Sequence, residues 1–181
     1  MMKTGDRMKK WILVIVAIII VGIINNKSEE VIIPKEAIRF RVIANSNEEE
    51  DQETKMFVRD NIQKHLYEDL KTTNNVEEAR EKVNENMNKY NEIVKESLDK
   101  IDNKETYKLN YGNNYFPKKT YKGVTYKEGY YESLVVTLGN GMGDNWWCVL
   151  FPPLCLLEAE ESEKEEVEYK FFIKELIDKY F

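Results

Sequence analysis

The sequence predicts an α+β domain: an antiparallel sheet with a two-helix hairpin packed on one face, an N-terminal signal or anchor helix and a C-terminal amphipathic helix. Apolar and polar residues alternate over Ala37 to Ala44 and over Ser133 to Leu138, which is the period of a half-buried strand. Between these segments, apolar residues recur every three or four positions in two long stretches, as in amphipathic helices. The 181-residue chain is 42% hydrophobic and 33% charged, which favours one folded core with a charged surface.

Residues 1–30 are predicted to form a signal peptide or signal anchor followed by a linker. Four basic residues and one acid precede an unbroken apolar run from Trp11 to Ile24. Its 14 residues fall short of the roughly 20 that a spanning helix needs, but no Ala-x-Ala cleavage pattern follows, so both transient and retained membrane insertion stay open. The basic start predicts that residues 25–181 lie outside the cytoplasm in either case.

The strand predicted over Ala37 to Ala44 leads into the two helices of the hairpin. Ser46 with Glu49 has the pattern of a capping box and marks the start of the first helix. Asn75 with Glu78 repeats that pattern at the start of the second, longer helix. The predicted buried positions are Val58, Ile62, Leu66 and Leu70 in the first helix and Val76, Ala79, Val83, Met87, Tyr90, Val94, Leu98 and Ile101 in the second.

Short strands and turns are predicted from Thr106 onward, because seven of the eleven tyrosines lie between Tyr107 and Tyr131 among glycines and prolines. A glycine-rich loop, GNGMGDN, follows the strand that ends at Leu138. The body of the protein is predicted to span residues 31–157. Residues 158–181 are predicted to form an acidic hinge and an amphipathic helix that docks on the body or on a partner, with the apolar positions Phe172, Ile173, Leu176, Ile177 and Tyr180.

The charge distribution argues against nucleic-acid binding. Residues 1–24 carry a net charge of +3 and the rest of the chain carries −9, which together give −6. An acidic body without a stripe of lysines and arginines repels phosphate backbones.

Cys148 and Cys155 are the only cysteines, and His65 is the only histidine. In an exported protein a disulfide between the two cysteines is the favoured interpretation, and two buried free thiols are the alternative. Three such residues are too few for a structural zinc site, so we expect no metal. His65 lies near the apolar side of the first helix and is expected to be a packing residue.

The sequence contains no recognisable catalytic set, so we expect neither an enzyme, a cofactor nor a small-molecule substrate. Gly139, Gly141 and Gly143 follow a strand, but the helix and acidic residue of a dinucleotide-binding unit are missing after them. Asp144 is more typical of a turn than of an acid or base, and Cys148 has no nearby base to activate it.

The segment GDNWWCVLFPPLC, residues 143–155, favours partner binding. Tryptophan and phenylalanine side chains form either a core or an interface, and a glycine loop stiffened by two prolines would present them rigidly. Burial of at least one tryptophan in the core is the alternative. The predicted partner-binding residues are Asp144, Asn145, Trp146, Trp147 and Phe151.

Several of these segments resemble the stage II sporulation protein R family. The resemblance rests on NWWCVLFPPLC at 145–155, IRFRVIANS at 38–46, DQETKMFVRD at 51–60, YFPKKTY at 115–121 and YYESLVVTLGNGMG at 130–143. It implies a protein exported from the forespore into the space between the forespore and mother-cell membranes. There it would activate a membrane-bound aspartic protease of the mother cell, stage II sporulation protein GA, which removes the pro-sequence of the sigma-E precursor.

A second hypothesis comes from the aromatic content alone. The tyrosine-rich region and the paired tryptophans could form a stacking platform for cell-wall glycan in the same compartment.

Residues 158–181 lie outside the part of the chain that resembles the family.

Overall fold

The computed structural model describes residues 31–121, 124–154 and 166–181, and the predicted signal segment, residues 1–30, lies outside them. Seven strands and four helices occur in the described part of the chain. The strands are β1 (Val31–Ile32), β2 (Ile38–Ile43), β3 (Tyr107–Phe116), β4 (Lys119–Tyr121), β5 (Val124–Tyr126), β6 (Gly129–Leu138) and β7 (Asn145–Phe151). The helices are α1 (Glu49–Leu70), α2 (Val76–Glu85), α3 (Met87–Lys100) and α4 (Glu166–Tyr180).

The main sheet has four strands in the order β3-β6-β2-β7. β6 pairs antiparallel with β3, and β2 pairs antiparallel with β7, but β2 and β6 run parallel with Phe40 opposite Leu134. The prediction of an antiparallel sheet is therefore wrong, and the sheet is mixed. The physical reason is the chain path: helices α1 to α3 return the chain to the end of the sheet where β2 finishes, β3 runs back along the sheet, and β6 then runs in the same direction as β2.

The predicted helix hairpin has an extra break. α1 is continuous and buries the predicted Val58, Ile62, Leu66 and Leu70, whereas the predicted second helix is divided at Asn86 into α2 and α3. The Asn86 backbone leaves the helical region, and its side-chain amide donates to the carbonyl of Lys82 at 2.9 Å. Side-chain bonds of this kind compete with the helical ladder. The prediction of burial at Ile101 is also wrong, since Ile101 is 40% exposed.

The predicted capping box is confirmed at the start of α2 but is wrong at the start of α1. Asn75 caps α2 as predicted, because its Oδ1 accepts the backbone N–H of Glu78 at 2.9 Å and its amide donates to the Glu78 carboxylate at 3.0 Å. At α1 the helix begins at Glu49, and the Ser46 hydroxyl accepts the N–H of Glu48 rather than one inside the helix. Ser46 therefore closes a turn ahead of the helix.

Each face of the main sheet is covered by a separate apolar layer. Helices α1 to α3 cover one face, where Phe40, Leu134 and Cys148 belong to a single buried cluster with the helix side chains. On the other face lies a second sheet of three strands, in the order β1-β5-β4. Its side chains and Ile173 of α4 form an apolar cluster with Trp147 and Val149 of β7. The C-terminal helix thus docks on the body of the protein. No described helix is long and apolar enough to cross a membrane.

Candidate interaction site

The loop between β6 and β7, residues 139–144, is held by the turn that precedes α1. The backbone N–H groups of Met142 and Gly143 donate to the carbonyls of Asn45 and Ala44, each at 3.0 Å. Side chains of the turn complete the attachment, since Asn45 Oδ1 accepts the N–H of Asn140 at 2.9 Å. Every bond here joins residues nearly a hundred positions apart, so the loop is fixed by tertiary structure.

The first turns of α1 close the same network from the other side. Gln52 Nε2 donates to the carbonyl of Ser46 at 2.8 Å, and Lys55 Nζ donates to Gln52 Oε1 at 2.5 Å and to the carbonyl of Asp144 at 3.2 Å. Lys55 is only 6% exposed. Burial lowers the pKa of Lys55, and the charge of Asp144 partly opposes that effect. The buried ammonium therefore acts as a structural clamp on the loop.

Two glycines allow the loop to lie this close to the turn. A Cβ at Gly143 would lie 2.1 Å from the backbone oxygen of Ser46, where nothing can move aside cheaply. Gly139 has a φ of +50° and would place a Cβ 2.3 Å from Asn45 Oδ1. The glycines thus serve a tight turn and a close backbone approach, as the sequence indicates, and they do not open a helix.

The loop and its neighbours present an exposed surface, which we call the Met142–Trp146 surface. Met142 is 81% exposed, and Trp146 is half-buried with its ring edge against Phe40, 5.8 Å between centroids. The guanidinium of Arg59 lies 5.0 Å from the Trp146 ring centroid and also donates to Met56 Sδ at 3.3 Å. The surface comprises Met56, Arg59, Met142, Asp144, Asn145 and Trp146. It offers apolar groups beside one cation and one acid.

The structure separates the predicted partner-binding residues. Asp144 and Asn145 are exposed and Trp146 is half-buried, whereas Trp147 is 9% exposed and Phe151 is completely buried. Trp147 packs edge-on against Phe116 and Tyr126 in the second apolar layer, at centroid distances of 5.5 and 4.9 Å. Residues 145–151 form strand β7, so the expectation that a loop presents Trp146, Trp147 and Phe151 is wrong. The loop before the strand, residues 139–144, contains no aromatic residue.

Other candidate residues lie apart from this surface. Cys148 is buried in β7 under the helices, but Cys155 lies outside the described residues, so the disulfide between them stays a prediction. His65 is exposed on α1, which makes the expectation of a packing histidine wrong. Within the described ranges no three His, Cys, Asp or Glu side chains come together as metal ligands would.

Sequence reasoning missed Met56, Arg59, Lys55 and Met142. Lys55 and Arg59 are four residues apart on α1, and this spacing places them on one side of the helix, which is the signal that could have linked them. Their contacts with residues 144 and 146 depend on tertiary packing that no local pattern contains.

Comparison with known proteins gives one family. A sequence profile described as stage II sporulation protein R matches residues 34–161. The chain is also 38% identical over 138 residues to a protein of Bacillus subtilis (strain 168) named stage II sporulation protein R. That alignment covers 76% of this chain and 62% of the relative, so the chain matches less than two thirds of the relative's length. No solved structure matches the chain.

Proposed function

Because the chain belongs to the stage II sporulation protein R family, we propose that it is a secreted signalling protein that activates the membrane-bound aspartic protease stage II sporulation protein GA. It is exported from the forespore into the space between the two membranes and acts on the mother-cell protease. The outcome is processing of the sigma-E precursor. In this proposal the protein itself breaks no bond.

An activator of this kind must bind the active form of its target more tightly than the inactive form. The Met142–Trp146 surface is suited to this task, because its backbone is immobilised before binding and little entropy is lost on docking. The single observation that carries the site assignment is the 81% exposure of Met142 on a loop whose neighbouring amides are all hydrogen-bonded. An exposed thioether on a rigid loop fits an apolar pocket of a partner.

Co-expression of three components tests the proposal. The full chain, the membrane-bound protease and the sigma-E precursor of one organism are produced in a bacterium that does not sporulate, and precursor cleavage is followed by immunoblot. We expect cleavage only when all three are present, and at least about tenfold less with Met142→Ala and Trp146→Ala together, the size of a lost interface anchor. Cleavage that does not depend on the chain refutes the proposed function. Unchanged cleavage with the folded double variant refutes only the site.

The glycan-binding alternative has one observation in its favour. Tyr115 and Tyr130 are 48% and 67% exposed and lie edge to face, 5.6 Å between ring centroids. Exposed aromatic pairs of this kind bind the apolar faces of sugars. A pull-down on purified peptidoglycan distinguishes the two functions: binding that is lost with Tyr115→Ala and Tyr130→Ala, but kept with Trp146→Ala, supports the alternative. The tyrosine double variant also serves as the matched aromatic control for the co-expression experiment.

A further inference from the structure

The face of the main sheet opposite the helices contains a fully buried arginine without a hydrogen-bond acceptor. Arg39 of β2 is 0% exposed, and its Nε, Nη1 and Nη2 atoms have no hydrogen-bond partner among the described residues. Its Cζ lies 3.4 Å from the ring centroid of Tyr131, 5.1 Å from that of Phe116 and 5.4 Å from that of Trp147. The guanidinium is thus enclosed by aromatic rings.

Aromatic rings alone do not balance such a charge. The attraction between a cation and aromatic rings is weaker than the cost of burying an ion without a partner of opposite charge. Burial lowers the pKa of Arg39, with Tyr131 and Tyr126 opposing it in part, but an arginine stays charged near neutral pH. The fold therefore holds a cation whose natural counterpart is an anion.

Further cations surround the same aromatic group. Arg41, two residues along β2 and on the same face, has its Cζ 4.7 Å from the Phe116 ring centroid, and its Nε is buried without an acceptor. Its Nη1 donates to the carbonyl of Tyr115 at 3.2 Å. Lys119 Nζ lies 5.4 Å from the Trp147 ring centroid. No ion pair joins any of these three cations to a carboxylate of the described residues.

Residues 25–181 carry a net charge of −9, so three neighbouring cations without an ion-pair partner among the described residues are unusual. Arg41 is half-buried and Lys119 is exposed, so an anion can reach them from solvent, with Arg39 lying beneath. Adjacent positions on one side of a strand are about 7 Å apart, so a charge bound at Arg41 acts on Arg39 as well.

We propose that Arg41 and Lys119, with Arg39 beneath them, form a docking site for an acidic peptide segment of a partner protein, and that its carboxylates neutralise the guanidinium pair. Arginine binds carboxylate through paired N–H donors, which gives such a site geometric as well as electrostatic preference. The site lies on the opposite side of the sheet from the Met142–Trp146 surface. It goes beyond the proposed function and does not depend on protease activation.

Peptide binding to the full chain, solubilised in a mild detergent, tests the site. Fluorescein-labelled hexaglutamate is titrated with the protein at low salt and followed by fluorescence anisotropy, with labelled hexaglutamine as the uncharged comparison. We expect binding of hexaglutamate only, with at least about tenfold weaker affinity for Arg41→Gln, the size of one lost charge-assisted pair. Lys64→Gln removes the same charge from an exposed position on α1 and should leave the affinity within about twofold.

Arg39→Met provides the second measurement. Methionine fills a similar volume without charge, so we expect a urea midpoint equal to or above that of the unchanged chain, together with weaker hexaglutamate binding. If Arg39→Met does not fold, Arg41→Gln and Lys64→Gln alone decide the question. Three results each overturn the proposal: no preference for hexaglutamate, equal losses in Arg41→Gln and Lys64→Gln, or displacement of the peptide by inorganic phosphate at equal concentration, which would make this a phosphate site.

Discussion

Arg80 of α2 and Glu132 of β6 form a bidentate ion pair that joins the helix layer to the main sheet. Arg80 Nε donates to Glu132 Oε1 and Oε2 at 2.9 and 3.1 Å, and Nη2 donates to Oε2 at 2.8 Å. The Tyr111 hydroxyl of β3 donates to the same carboxylate at 2.6 Å. One acid on the sheet thus satisfies donors from a helix and from a neighbouring strand.

This pair predicts an acid-sensitive contribution to stability. Burial alone would raise the pKa of Glu132, but the bonds from Arg80 and Tyr111 outweigh it and hold that pKa below its usual range. A carboxyl group whose pKa is depressed by folding stabilises the fold above its unfolded pKa of about 4.3, and this contribution is lost as pH falls through the folded pKa. We expect Glu132→Gln to lower the free energy of unfolding at pH 7 by about 1 to 2 kcal/mol.

Urea unfolding of the unchanged chain and of Glu132→Gln, measured from neutral to acidic pH, checks this prediction. The difference between the two should shrink as pH falls below about 4. Only the difference between the two proteins is informative, because Glu105 has the opposite effect on stability. Burial and Asp51 raise the pKa of Glu105, so its protonation stabilises the fold as pH falls. A difference that stays constant across the whole range would contradict the assignment.

The reciprocal cap at the start of α2 gives a second prediction. Asn75 accepts from the N–H of Glu78 and donates to its carboxylate, so Asn75→Ala leaves a helix donor without its partner. We expect a loss of about 1 kcal/mol in the free energy of unfolding by urea. Asn74→Ala is the matched control, because the Asn74 side chain makes only one weak bond of 3.5 Å and its backbone N–H is kept. Equal losses in the two variants would show that the cap is not the cause.

The helices could be predicted because their signals are local. The apolar positions of α1 follow the helical period throughout, and the Asn75 cap lies within four residues of its partner. The mixed sheet could not be predicted in the same way, since β2 pairs with β6 and β7 across about ninety residues or more, and no local pattern specifies whether such a pair is parallel.

The strand β7 could not be predicted for a related reason. Both faces of β7 are covered, so the run WWCVLF lacks the alternation of a half-buried strand. Its glycine and proline flanks favour a loop instead. Adjacent strand residues point to opposite faces, and Trp146 therefore lies on the helix side while Trp147 lies in the second layer. The alternation over β2 likewise predicts that its arginines face solvent, yet Arg39 is completely buried beneath the second layer.

The contact between Gly143 and the backbone of Ser46 gives a third prediction. An added Cβ would lie 2.1 Å from the Ser46 oxygen, so Gly143→Ala must move the loop or the turn. Overpacking of this kind costs about 1 to 3 kcal/mol, which should appear in urea unfolding and as faster amide exchange at Met142. Asn140→Ala, an exposed side chain of the same loop, is expected to change neither. Unchanged exchange in Gly143→Ala would mean that the loop is not held by this approach.

Docking of α4 depends on Ile173, which is 1% exposed and belongs to the apolar cluster that contains Trp147 and Phe116. Truncating a buried isoleucine to alanine removes about 2 to 5 kcal/mol. We expect α4 to detach while the sheet stays folded, which would limit the loss to the docking free energy of the helix. We therefore expect Ile173→Ala to accelerate proteolysis within residues 166–181 at least about tenfold, with a much smaller effect on the unfolding midpoint of the body.

Limited proteolysis followed by mass measurement separates these two effects. Glu175→Ala, an exposed position on the same helix, is the control and should be cleaved at the original rate. If Ile173→Ala instead lowers the unfolding midpoint of the whole body while cleavage within 166–181 stays slow, α4 unfolds together with the sheets. In that case the helix is an integral part of the second apolar layer, and no state with a detached α4 and an intact layer is populated.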